Sequence, residues 1–258
     1  MSLANASKRA TLQGVRPALG ADRGEPCGSW NITGKTLLIV PGLHRPGPDR
    51  LEIMKLFSIV QMMFNALTKP KQHILIREIP TGRVIDIGGG GEGVIAQAGG
   101  VGVVAIDKYI SEIHEAKGKA PDASWMVADA TELPCKSHCF DNATAFFSCM
   151  YMSRDVKEKV FKETQRVLKN GGEFWIWDVH MVPRSQVFVI RLQVDFHGMH
   201  TINTVYGVKA KDQSAESICS LLQETGFESE VITNRKHWFL IKAKSARALS
   251  VLGTDSAV

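Results

Sequence analysis

Val84–Ile–Asp–Ile–Gly–Gly–Gly–Gly–Glu–Gly93 joins a short apolar strand to a glycine cluster and then to helix-forming residues. Gly88, Gly90 and Gly93 fall at the G-x-G-x-x-G spacing, which suits a turn that brings backbone close to a ligand. The helix that follows is expected to point its free N–H groups at the same place. Read alone the pattern is weak, because a glycine cluster after an apolar run also makes ordinary loops.

The sequence downstream supplies the context that the glycines lack. Val94–Ala98 reads as a helix stopped by Gly99–Gly100, and Val101–Ile106 as a second apolar strand ending in Asp107. Strand, glycine turn, helix and a strand ending in an acid form a nucleotide-binding βαβ unit. Asp107 stands 19 residues after Gly88, where a carboxylate accepts hydrogen bonds from both ribose hydroxyls of an adenosine or, more simply, caps the next helix. The alternation continues through a helix at Ile110–Lys117, a strand at Ser124–Val127 ending in Ala128–Asp129–Ala130, a strand at Phe140–Phe147, a helix at Asp155–Leu168 and a fifth strand at Glu173–Asp178. Such a period predicts an α/β fold with a parallel sheet covered on both faces and ligands at the carboxyl ends of its strands.

Residues 187–207 break that alternation. Leu192, Val194 and Phe196 alternate with Arg191, Gln193 and Asp195, and after a turn at 197–200 the segment Thr201–Val208 returns, so an inserted β-ribbon is expected. A helix at Ser214–Thr225 and two strands, Glu228–Thr233 and His237–Ala243, close the domain. Their three-residue connection makes those strands antiparallel.

Upstream, the apolar residues of Leu51–Leu67 recur at helical spacing and predict an amphipathic helix, either a cover for a sheet face or a lid. His73–Ile79 reads as a short segment leading into the first strand. The expected organisation is a poorly ordered basic extension over 1–50 and one domain over 51–250, with an N-terminal helix region at 51–80. Residues 1–50 hold seven Lys/Arg against three Asp/Glu, while 51–258 hold 24 against 23. The net +5 therefore sits mostly in the extension, and the nearly neutral body speaks against nucleic acid, which needs a basic face. The extension faintly resembles a transit peptide, with Met54 as an alternative start. No apolar run reaches the roughly 18–20 residues of a bilayer span. Five scattered cysteines fit reduced thiols, so a cytoplasmic location is expected.

Asp86 separates the adenosine cofactors. A dinucleotide would bring a pyrophosphate beside this carboxylate and be repelled, whereas the ammonium and sulfonium of S-adenosylmethionine would be attracted. At this point the chain resembles the class I S-adenosylmethionine-dependent methyltransferases, especially the group that includes the ubiquinone and menaquinone biosynthesis enzymes. Val84–Gly90 is similar to the family's first motif, Ala105–Asp107 to its second, Val127–Pro134 to its third and Phe140–Asp141 to the start of its fourth. Arg166–Gly172 is similar to the turn into the fifth strand. The resemblance implies a Rossmann-like, doubly wound, seven-stranded sheet, mostly parallel with an antiparallel last strand, and S-adenosylmethionine as cofactor. It implies Asp86, Gly88 and Gly90 at the methionyl end, Asp107 at the ribose, Asp129 at the adenine amino group, Ala130 N–H at a ring nitrogen and Lys108 beside the adenine. Ser148, opening the loop after the fourth strand, is counted with them. Glu92 stands where the family's third glycine is usual, and it reads either as a partner for the ammonium or as an acid at a helix N-terminus.

Methyl transfer from an activated sulfonium requires alignment and exclusion of water, and a base only when the acceptor is protonated. His180, just beyond the fifth strand, is the first candidate, with Tyr151 in the run Ser148–Met152 as a pocket wall. A small-molecule acceptor is expected, the alternatives being an RNA or protein acceptor or cofactor binding without catalysis. His197 and His200 at the ribbon turn, and Cys135, His138 and Cys139, have spacings that can ligate metal, but solvated loops are the commoner outcome and no metal is expected. The ribbon is expected to shape the acceptor pocket. Its apolar residues Val187, Val189, Leu192, Val194 and Phe196 suggest, as the other possibility, a homodimer contact.

Overall fold

The computed structural model describes residue 64 and residues 68–182, 187–196 and 200–245. The basic extension, almost all of the expected helix at Leu51–Leu67, His197 and the turn containing it lie outside the described residues. In chain order the elements are β1 (Lys71–Ile76), β2 (Val84–Ile87), α1 (Val94–Gly99), β3 (Val103–Asp107), α2 (Ile110–Lys117), β4 (Ser124–Val127) and β5 (Phe140–Phe146). Then follow α3 (Arg154–Val167), β6 (Leu168–Val179), β7 (Val187–Phe196), β8 (His200–Lys209), α4 (Ala215–Glu224), β9 (Phe227–Asn234) and β10 (Trp238–Ser245).

Seven strands form one sheet in the order β4-β3-β2-β5-β6-β10-β9. Strands β2 to β6 run parallel, and β10 is antiparallel to both of its neighbours. All four residues of β2 are buried, as expected of a central strand covered on both faces, which is why it reads as a continuous apolar run. The strand order reverses between β2 and β5, and a crevice opens at such a point beyond the carboxyl ends of the strands.

On one face of the sheet α3 and α4 pack Val160, Phe161, Ile218 and Leu222 against Phe140, Phe174, Ile176 and Phe239. Both helices start where their sequences say they should. The Ser153 hydroxyl accepts from Val156 N–H at 3.4 Å, and Ser214 and Ser217 satisfy each other's backbone N–H in a capping box. Burial of Phe161 with no exposed surface puts the cost of truncating it at about 3–5 kcal/mol.

The other face is covered differently. The expected ribbon is the β7–β8 hairpin, and it is joined by β1, which runs parallel to β7 in register from Lys71↔Arg191 to Ile76↔Phe196. The segment read as a mere approach to the first strand is therefore one strand of a second, three-stranded sheet. Its inner residues Ile74, Ile76, Ile190, Leu192, Val194 and Phe196 share a core with Val94 and Ile95 of α1 and with Phe147 and Trp177 of the main sheet. Val189, Leu192, Val194 and Phe196 are each no more than 2% exposed, so the apolar surface that suggested a homodimer is consumed within the chain. The expected strand from Val101 also starts later, at Val103, because Gly100–Gly102 forms a 3-10 turn. Among the described residues no helix is long and apolar enough to cross a membrane.

Candidate active site

The glycine turn lies at the carboxyl end of β2, and its backbone is held by the chain around it. Gly89 N–H donates to Ile106 O and Gly91 N–H to Glu112 O, both at 2.9 Å, while Gly90 N–H donates to the Asp107 carboxylate. Gly88 has φ 70°, and a Cβ there would lie 2.7 Å from Cβ of Ser148. At Gly90 the demand is for space, since a Cβ would stand 2.5 Å from Cβ of Glu112 and 2.8 Å from Asp107 Oδ2. The following helix α1 has only six residues, so the expected array of helix N–H donors is short. What surrounds the turn instead is a set of carboxylates.

Asp86 is next to last in β2, Asp107 is last in β3, and Asp129 stands just beyond β4. Asp86 pairs with Ala105 across β2 and β3, and Asp107 with Val127 across β3 and β4. The Asp86 carboxyl is 1% exposed and accepts from Thr144 Oγ1 at 2.7 Å. Burial raises its pKa from 3.8 to about 7, the Thr144 bond opposes the rise and the charge of Asp107 adds to it. Asp107 is also raised by burial, against the N–H groups of Tyr109 and Gly90 that donate to it. Its bond from Tyr109 N–H, 2.9 Å long, ties it to the residue before α2, a helix that no side chain caps, so the simpler reading of Asp107 as a helix cap is not met. Asp129 is exposed and is lowered by two bonds from Thr131, hydroxyl and N–H, both to Oδ1. The Lys108 ammonium stands 4.8 Å from the Tyr109 ring centroid and its charge acts to lower the pKa of both Asp107 and Asp129, and Ala130 is half-buried beside Asp129. Asp86, Asp107, Lys108, Asp129 and Ala130 are thus brought to one edge of the sheet.

Ser148 and Glu92 have partners within the chain. The Ser148 hydroxyl donates to Ile87 O at 2.7 Å and fixes the loop after β5 to the base of the glycine turn. Glu92 is buried and forms an ion pair with Lys119 at 3.1 Å, and Lys119 also meets Glu115 at 2.9 Å. A buried acid needs such a partner. The contact joins the turn to the segment before β4.

His180 turns away from this edge. Its Nε2 meets Asn234 Oδ1 at 2.8 Å, and its ring stands edge-on to Phe239, 5.0 Å between centroids. Phe239 belongs to the helix-covered core, and the His180 charge acts on Glu216 at the start of α4. Sequence places a residue at a strand end but not on one side of the sheet, and here the loop turns to the α4 side. Tyr151 ends the 3-10 turn Cys149–Tyr151 and packs against the core on the glycine-turn side, its carbonyl accepting from Lys211 Nζ at 3.0 Å. His138 Nδ1 lies 2.8 Å from Leu168 O and His200 Nε2 3.2 Å from Gln97 Oε1. Among the described residues no three His, Cys, Asp or Glu side chains cluster as a metal would require.

Two features of this edge carry no motif. Asp178, fully buried at the end of β6, accepts from Val179 N–H at 2.8 Å, Met150 N–H at 3.1 Å and Gln213 Nε2 at 2.7 Å. Gln213 in turn accepts from the buried Lys157 Nζ. Burial lifts Asp178 to about 6, against these donors and the Lys157 charge. The network fixes the Cys149–Tyr151 turn beside the crevice. The second feature is Tyr206 of β8, whose ring stacks on Phe147 with centroids 5.6 Å apart and planes 11° apart. Gln213 and Tyr206 stand in stretches without catalytic spacing, and only the fold brings them here.

Comparison with known proteins agrees with this geometry. The family described as a methyltransferase domain matches residues 84–172. The sterol 4-C-methyltransferase strm-1 of Caenorhabditis elegans is 34% identical over 37% of this chain and 30% of its own length. The demethylmenaquinone methyltransferase of Renibacterium salmoninarum is 33% identical over 37% of this chain and 40% of its own. The chain thus spans less than half of either relative. Among solved structures, an S-adenosylmethionine-dependent methyltransferase from Mesorhizobium loti is similar with a TM-score of 0.48 and 18% identity, over 64% of this chain and 93% of that one. The matched domain and the sheet order together identify residues 84–172 as a methyltransferase domain built on a Rossmann-like sheet.

Proposed function

We propose that the protein transfers the methyl group of S-adenosylmethionine to a small, largely apolar acceptor. The observation that carries this reading is the placement of Asp86, Asp107 and Asp129 at the ends of three successive parallel strands around a glycine turn with no room for side chains. The fit to the cofactor rests on charge. An ammonium and a sulfonium are cations, and a carboxylate that burial has raised to about 7 is restored to its charged form by a cation beside it. Asp86 would face the methionyl end, Asp107 the ribose hydroxyls and Asp129 the adenine amino group, with Lys108 along the adenine edge. Glu92, already paired with Lys119, shapes the turn. When bound, the cofactor supplies a methyl group on a good leaving group, so no residue has to generate the electrophile.

On the acceptor side the chain's work is positioning and exclusion of water. Phe147, Met150 and Met181 are buried and Tyr151 half-buried on the glycine-turn side of the strand ends, an apolar lining suited to a ring-bearing substrate. Two relatives are named for a sterol and for demethylmenaquinone, both small molecules. His180, held by Asn234, does not serve as the base in this reading.

The test is label transfer by the full chain from methyl-labelled S-adenosylmethionine in a panel of phenols, quinols and amines, with bulk RNA and a protein extract alongside. Label is expected in an apolar ring-bearing acceptor with an equimolar amount of S-adenosylhomocysteine. Label in RNA or protein alone, or none in any acceptor while the cofactor binds, would refute the assignment.

A further inference from the structure

The inserted sheet does more than wall the acceptor side, since β8 also reaches the glycine turn itself. His200, at its start, meets Gln97 Oε1 of α1, and Gln97 Nε2 donates to Glu92 O at 2.6 Å. Further along, Ile202 and Tyr206 are buried in one core with Val94 and Ile95, the first residues after the turn. Tyr206 is 9% exposed and lies flat on Phe147. Phe147 has a left-handed φ of 52° and directly precedes Ser148, whose hydroxyl holds Ile87 O. The Tyr206 hydroxyl is bonded to Thr204, and the charges of Glu92, Asp86 and Glu112 act on it. Burial first, and then these carboxylates, keep the phenol protonated far above its usual range.

An amino-acid group entering this end of the site is a zwitterion. Its ammonium is served by the carboxylates, but its own carboxylate meets repulsion from the same acids and needs a donor. Lys119 is committed to Glu92 and Glu115, and the backbone N–H groups of Gly89, Gly90 and Gly91 are committed to Ile106, Asp107 and Glu112. We propose that Tyr206, contributed by the inserted sheet, is a cofactor-binding residue whose phenol O–H donates to the carboxylate of the methionyl group. The inference rests on the cofactor assignment above. It makes β8 a roof over the donor molecule, and it ties cofactor selection to an element outside the matched domain.

The test is calorimetric titration of the full chain, wild type and Tyr206→Phe, with two ligands. One is S-adenosylhomocysteine; the other is decarboxylated S-adenosylmethionine, which keeps the ammonium and lacks the carboxylate. Phenylalanine retains the ring on Phe147, and unchanged thermal unfolding of the ligand-free variant verifies that the roof is intact. If unfolding shifts, Ile202→Val, which loosens the same buried face and leaves the phenol and its Thr204 bond in place, is titrated in parallel, and a loss for Tyr206→Phe no larger than that variant's would also overturn the role. Tyr206→Phe is expected to bind S-adenosylhomocysteine about tenfold or more weakly, as befits a hydrogen bond to a charged group, and the decarboxylated ligand as wild type does. Unchanged binding of S-adenosylhomocysteine, or an equal loss for both ligands, would overturn the role of Tyr206 and leave the cofactor assignment standing. Wild type binding neither ligand would overturn the cofactor assignment, and Tyr206's role with it.

Discussion

Asp86→Asn is expected to raise the thermal midpoint of the ligand-free protein at pH 8 and to weaken its binding of S-adenosylhomocysteine by about a hundredfold. Both effects follow from one carboxyl group in a fully buried place. Burial, partly offset by the Thr144 hydroxyl, raises the folded-state pKa to about 7 from an ordinary 3.8. The folded protein therefore binds more protons than the unfolded chain between about pH 4 and pH 7, so this group's contribution to stability falls as pH rises through that window and is lowest above it. Asparagine carries no charge to bury and its amide oxygen still accepts from Thr144, so at pH 8 the variant is relieved of the penalty. The carboxylate remains useful because a cationic ligand restores its charged form. Binding should accordingly strengthen from pH 6 to pH 8 and release a proton, readable as a dependence of calorimetric heat on buffer ionisation enthalpy. A variant that melts lower than wild type at pH 8, or binds the ligand as tightly, would contradict this account.

Asp178→Ala is expected to cost about 3 kcal/mol or more of stability at pH 8, roughly a 6–12 °C fall in Tm for a domain of this size. The carboxylate accepts from Val179 N–H, Met150 N–H and Gln213 Nε2. Alanine leaves these donors buried without their acceptor and withdraws the negative charge that balances Lys157. Asp178→Asn should fall between the two, because its amide oxygen still accepts a backbone N–H while its NH2 faces the Gln213 amide. Urea unfolding of the three proteins measures the order directly. Asp178→Ala as stable as wild type would remove the network from the account.

The main sheet was legible in the sequence because parallel strands buried on both faces read as apolar runs, and because glycines and acids mark where they end. Asp86, Asp107 and Asp129 were legible for the same reason, each standing at or just beyond a strand whose position is fixed locally. The second sheet was legible only as a hairpin. Lys71–Ile76 alternates exposed and buried residues in the fold, but its partner strand lies 120 residues away at Arg191, and no local pattern encodes a pairing at that separation. Tyr206 depends on the same packing and was invisible for the same reason. Asp178, Gln213 and Lys157 come from a strand end, a loop and a helix, so only the folded chain makes them a network. For His180 the sequence indicates a place just beyond a strand, whereas its ring contact with Phe239 depends on another strand and has no local pattern.

The central claim is that the acids around the glycine turn hold S-adenosylmethionine, and titration of the full chain with S-adenosylhomocysteine tests it most directly. One ligand per chain is predicted for wild type, with a loss of at least tenfold in affinity for Asp107→Ala. The absence of binding to wild type, or equal binding by Asp107→Ala, would contradict it.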